Sequence, residues 1–130
     1  MAMAVDMGMK VLIVDDYQTM LRVLKSLLRQ LKFTSIDEAS NGADALEMLQ
    51  KGDYGMVISD WNMEPMTGFE LLCEVRADEA IKDTPFIMIT ADSTTENVIR
   101  AKKAGVSNYI IKPFTAETLK TKLVSVLGDF

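Results

Sequence analysis

At 130 residues and 48% hydrophobic content, the chain is sized for one domain with a continuous core and is too apolar for intrinsic disorder. It contains no histidine, which removes Ser-His-Asp and Cys-His catalysis and most transition-metal sites, so any chemistry must run on carboxylates, hydroxyls, lysines and a hard cation. The net charge of −5 hides a basic segment, Ser93 to Leu127, where Arg100, Lys102, Lys103, Lys112, Lys120 and Lys122 outnumber Glu96 and Glu117, too thinly spread to make a DNA footprint.

The first residues, 1–8, are small and Met-rich, with neither a basic n-region nor an apolar h-region. They are expected to be a loose lead-in to a domain over 9–130. The first apolar run, Val11 to Val14, reads as a strand buried on both faces. It is followed by a helical pattern over 17–32, with Met20, Leu21, Leu24, Leu28 and Leu31 on one side and Arg22, Lys25 and Arg29 on the other. A weak strand signal at Ser35-Ile36 precedes a helix over 43–51. Met56 to Ile58 is the third strand, and the helix over 67–77 opens with the capping-box spacing of Thr67 and Glu70. Cys73 lies among the apolar residues of that helix and is expected to be a buried, inert thiol. Phe86 to Ile89 and Tyr109 to Ile111 are the last two strands, each followed by a helix, over 94–104 and 115–127.

Strand and helix alternating five times predicts an α/β fold, a doubly wound five-stranded parallel sheet with helices on both faces. No apolar run reaches the roughly 18 residues of a membrane span, and the single cysteine excludes an internal disulfide. A cytoplasmic monomer with no membrane insertion is expected.

In an open parallel sheet, sites form at the carboxyl ends of the strands. Asp15 and Asp16 end the first run, Asp60 the third, Thr90 the fourth and Lys112 the fifth. Singly these could be a helix cap, a turn residue, a core hydroxyl and a surface amine. Together they suggest a site, because three converging carboxylates repel one another unless a cation neutralises them, and Mg²⁺ prefers such oxygen ligands. A carboxylate nucleophile, an amine, a hydroxyl and Mg²⁺ are the parts that phosphoryl transfer to Asp60 needs.

At these residues the chain resembles the response-regulator receiver family, most closely its single-domain chemotaxis members. The segments that carry the resemblance are VLIVDD (11–16), DWNM (60–63), ITAD (89–92) and NYIIKPF (108–114), and it spans about residues 9–128. The resemblance implies strand order 2-1-3-4-5, Asp60 as phosphoacceptor for a histidine kinase, and Mg²⁺ held by Asp15, Asp16, Asp60 and the main-chain carbonyl of Asn62. It also implies Thr90 as switch hydroxyl, Lys112 as phosphate-binding amine, Tyr109 as an aromatic that rotates with Thr90, and a cis bond at Lys112-Pro113. Asn62 and Asp92 match positions that tune the lifetime of the acyl phosphate. Output is expected by contact with a downstream protein, such as a flagellar motor switch, through Val98, Lys102, Tyr109, Ile111 and Lys122. A phosphate sink, or regulation of a kinase outside chemotaxis, is the alternative. The loop Asn62 to Gly68 carries its proline later than the commonest family pattern.

Two other classes fit less well. An aspartate-nucleophile phosphohydrolase usually has an acid two residues after its nucleophile, where this chain has Asn62. A flavodoxin-like cofactor binder needs a phosphate loop after the first strand, where DDYQT (15–19) would repel a phosphate. A signalling switch is therefore expected, not an enzyme.

Overall fold

The computed structural model describes residues 8–91 and 95–128. The lead-in, apart from Gly8, and Asp92 lie outside the described residues. Five strands and five helices alternate: β1 (Lys10–Val14), α1 (Gln18–Gln30), β2 (Ser35–Ala39), α2 (Gly42–Lys51), β3 (Tyr54–Asp60), α3 (Gly68–Ala77), β4 (Phe86–Thr90), α4 (Thr95–Ala104), β5 (Asn108–Ile111) and α5 (Ala116–Leu127). The strands are all parallel, in the order β2-β1-β3-β4-β5.

Period-two alternation divides the sheet's side chains between two cores. Val11, Ile13, Met56, Ile58, Ile87, Ile89 and Ile110 pack under α1 and α5, against Leu21, Leu24, Leu28, Leu119 and Leu123. Leu12, Val14, Val57, Phe86 and Met88 point the other way, against Ala45 and Leu49 of α2 and Leu71, Leu72 and Val75 of α3. Burial on both faces explains why β1 and β4 read as continuous apolar runs.

β2 runs on to Ala39, beyond its faint signal at Ser35-Ile36. It is an edge strand, half exposed, and so it tolerates Asp37 and Glu38; Asp37 accepts a 2.7 Å hydrogen bond from the Tyr54 hydroxyl. Thr67 and Glu70 form the reciprocal capping box at the start of α3, Asn41 caps α2, and Thr115 caps α5.

Cys73 corrects one expectation. It is exposed on α3, because that helix buries Leu71, Leu72 and Val75 and position 73 falls on the outer side of the turn. Partial desolvation of the sulfur by its neighbours nevertheless raises the thiol pKa. None of the described helices is long and apolar enough to cross a membrane.

Candidate functional site

Strand register brings the carboxylates together. Val14 pairs with Ser59 across β1 and β3, so Asp15, the next residue, comes level with Asp60 on the adjacent strand and on the same face. Parallel neighbours lie about 4.8 Å apart. Carboxylate oxygens of Asp15, Asp16 and Asp60 accordingly lie within 4.8 Å of one another, with Asp15 and Asp60 buried and Asp16 exposed at the rim.

On the far side the rim steps outward. Asp60 pairs with Ile89, and Thr90 is one residue beyond; Thr90 pairs with Ile111, and Lys112 is one beyond that. The long lysine side chain covers this offset, setting Nζ 2.9 Å from Asp60 Oδ1. That contact is one of charge, since among the described residues the buried Asp60 Oδ1 accepts no hydrogen bond.

Asp15 has two tasks. Its Oδ1 accepts the Tyr17 N–H at 3.0 Å and so serves the start of α1, where Tyr17 provides no side-chain cap. Its buried Oδ2 has no hydrogen-bond partner among the described residues. Burial pushes the carboxyl up to about 6; the Tyr17 N–H opposes this, Asp60 and Asp16 add to it, and Lys112 offsets part of it. A buried carboxylate with an orphaned oxygen beside two more carboxylates could hold a hard divalent cation, and Mg²⁺ fits the all-oxygen set.

Thr90 is buried and lies on the opposite face of the sheet from Asp60 by alternation, the face that carries α4. There it lines a narrow gap with Trp61, Met88, Val98, Ala101 and Tyr109. Tyr109 is half-buried, with Lys122 Nζ 5.0 Å from its ring centroid. Among the expected surface residues, Lys102 is exposed, whereas Ile111 and Lys122 are half-buried and Val98 turns partly into the gap. The exposed large apolar residue of α4 is instead Ile99, at 45%. Asn62 is exposed and shares a hollow with Asp16, Met63, Glu64 and Thr67. Lys112-Pro113 is cis, and so is Glu64-Pro65 in the loop after Asp60. The wide cleft lined by Glu38, Asp44, Glu47 and Tyr54 shares none of these residues.

Gly68 and the packing around Trp61 are site features that residue spacing did not reveal. The Gly68 N–H donates to the Trp61 carbonyl at 2.9 Å, and a Cβ at this position would stand 2.1 Å from the Asp60 carbonyl oxygen. Only glycine lets α3 start so close to the backbone of Asp60. The ring of Trp61 stacks on Phe69 with centroids 5.4 Å apart.

Residues 11–124 match the family model of the response regulator receiver domain. The chain is 54% identical over 116 residues to chemotaxis protein CheY-3 of Vibrio cholerae, covering 89% of each chain. It is 49% identical over 118 residues to chemotaxis protein CheY of Pseudomonas aeruginosa, covering 91% of this chain and 95% of that one. The solved structure of Vibrio cholerae CheY4 superposes with a TM-score of 0.86 at 35% identity, over 92% of this chain and 99% of the other. Receiver domains of this kind are signalling switches and not enzymes. With a matching fold, a matching family model and close relatives over nearly its whole length, the chain belongs to the response regulator receiver domain family, as a CheY-like member.

Proposed function

We propose that Asp60 takes a phosphoryl group from a histidine kinase, with a divalent cation held by Asp15, Asp16, Asp60 and the main-chain carbonyl of Asn62, and that the change is passed to a downstream protein. The observation that carries this reading is three carboxylates within 4.8 Å of one another, with Lys112 Nζ 2.9 Å from the buried Asp60.

An Asp60 carboxylate oxygen forms the new P–O bond as the donor's P–N bond breaks. The electron pair stays on the imidazole nitrogen, which takes up a proton, and Asp60 becomes a mixed carboxyl–phosphoryl anhydride. Bound Mg²⁺ would offset the negative charge gathered on the phosphoryl oxygens. Lys112 pairs with one of those oxygens, exchanging its contact with Asp60 Oδ1 for a stronger one. The Thr90 hydroxyl donates to another, drawn inward by the new acceptors. Asn62 and Asp92 match the family positions that tune the lifetime of the anhydride.

Movement of Thr90 opens the gap it shares with Tyr109, which turns inward, and the outer face of α4, β5 and α5 changes. Lys102, Ile111 and Lys122, with Val98 and Tyr109 at the gap, make the partner contact. The chemotaxis names of the relatives support a chemotaxis or motility partner such as the flagellar motor switch.

Trp61, the only tryptophan, tests this directly. Its emission should change on adding Mg²⁺ and again on adding acetyl phosphate or beryllofluoride, and Asp60→Asn should lose the second change. A wild-type protein silent to both additions refutes the reading.

A further inference from the structure

α4 is the most lightly seated helix of the fold. Ala101 is the only residue of Glu96–Ala104 that is buried, whereas α1 buries Leu21, Leu24 and Leu28. Among the described residues its main packing is against α3, and the gap lined by Met88, Thr90, Val98 and Tyr109 lies between it and the sheet. A helix held by so few apolar contacts opens or shifts at low free-energy cost.

Beside the packing of Ala104 on the α3 side, a stack of three side chains ties it to α3. The Arg100 guanidinium lies 4.5 Å from the centroid of the Phe69 ring, and Phe69 stacks on Trp61 at an interplanar angle of 19°. Trp61 is bonded directly to Asp60, and its backbone is fixed at both ends: its N–H donates to the Ile89 carbonyl and its carbonyl accepts the Gly68 N–H, each at 2.9 Å. Its ring also borders the gap beneath α4. The stack thus runs without a break from the residue beside Asp60 to the outer side of α4. It crosses α3 and uses neither Thr90 nor Tyr109.

We propose that Phe69 and Arg100 form a latch that holds α4 in its resting seat and links that seat, through Trp61, to the occupancy of Asp60. This rests on the reading of Asp60 as phosphoacceptor and adds a second line of coupling to it. In the protein without a phosphoryl group the cation–π contact stabilises the resting position. Occupying Asp60 must therefore work against the latch, and by linkage a broken latch must favour occupancy.

The test uses the full chain, with beryllofluoride as the phosphoryl analogue at saturating Mg²⁺ and binding followed by calorimetry. Phe69→Leu and Arg100→Gln are each expected to lower the half-saturating beryllofluoride concentration by roughly threefold with the Mg²⁺ midpoint unchanged. The double variant should do no more than either single one, since both remove one interaction. Phe69→Tyr, which keeps a ring under the guanidinium, should behave as wild type.

Cys73 supplies an independent readout. It is exposed on α3; desolvation raises its thiol pKa, and the charge of Arg100 works against that rise. Release of the latch should slow its reaction with a disulfide reagent by roughly twofold when beryllofluoride is added to wild type. Unchanged half-saturation in both variants, or a Cys73 rate indifferent to beryllofluoride, overturns the latch while leaving Asp60 as phosphoacceptor. A wild-type protein that binds no beryllofluoride at all removes both.

Discussion

Asp15 shows what the site costs the fold. Its folded pKa, about 6, lies above the ordinary aspartate value of 3.8, so the fold disfavours its charged form. The sign follows: the penalty is full above the folded value, shrinks as pH falls through 6, and is gone below the unfolded value near 4. Asp15→Asn keeps an oxygen for the Tyr17 N–H and removes the charge. At pH 7 without metal it should gain about 1–3 kcal/mol in a denaturant titration while losing the Mg²⁺ response of Trp61. Tyr54 has the same sign in a higher window, where the neutral form is the one present at neutral pH. Burial and the hydrogen bond to Asp37 push its hydroxyl up to about 12. Its contribution is therefore intact below the unfolded value near 10 and is lost as pH rises through 12. Tyr54→Phe should cost about 1 kcal/mol at neutral pH, and the difference should fade in denaturant titrations run towards pH 12. At Gly68 the limit is steric. Gly68→Ala sets a methyl against the Asp60 carbonyl, and about 1–3 kcal/mol of destabilisation together with a disturbed Trp61 emission is expected.

At the scale of elements, Arg76 is the brace for the second half of the sheet. Near the end of α3 it donates to the carbonyls of Lys82 and Thr84, just before β4, and to the carbonyl of Gly105, between α4 and β5. Partial burial lowers its pKa, but the side chain stays charged. Arg76→Ala leaves three carbonyls without this donor, and a loss of about 2–4 kcal/mol is expected in chemical denaturation. Hydrogen exchange should quicken first in the segments entering β4 and β5. The helix boundaries were largely legible in the chain, because Thr67 with Glu70, Thr115 and the leucine spacing of α1 are local signals. β2 was faint for a reason of position: an edge strand needs no apolar run. Cys73 was misread because apolar neighbours on both sides conceal which way one helical position points.

For the molecule as a whole, folding and cation binding should be linked. The carboxylates of Asp15, Asp16 and Asp60 converge only in the folded chain, so Mg²⁺ held by them would favour that state and raise its stability. At a concentration 100-fold above its Kd the gain is about 2.7 kcal/mol, visible as a rise in Tm that Asp60→Asn reduces.

The chain by itself determined its alternation of strands and helices and which residues end each strand, because both are written in local periodicity and in the chemistry of Asp15, Asp16, Asp60, Thr90 and Lys112. Only the tertiary structure decided the rest. Register set Asp15 level with Asp60, alternation sent Thr90 to the other face, and α3 carried Phe69 between Trp61 and Arg100. Those relations join residues tens of positions apart, and a contact between distant residues depends on how strands pair and helices pack, which no local pattern of side chains specifies.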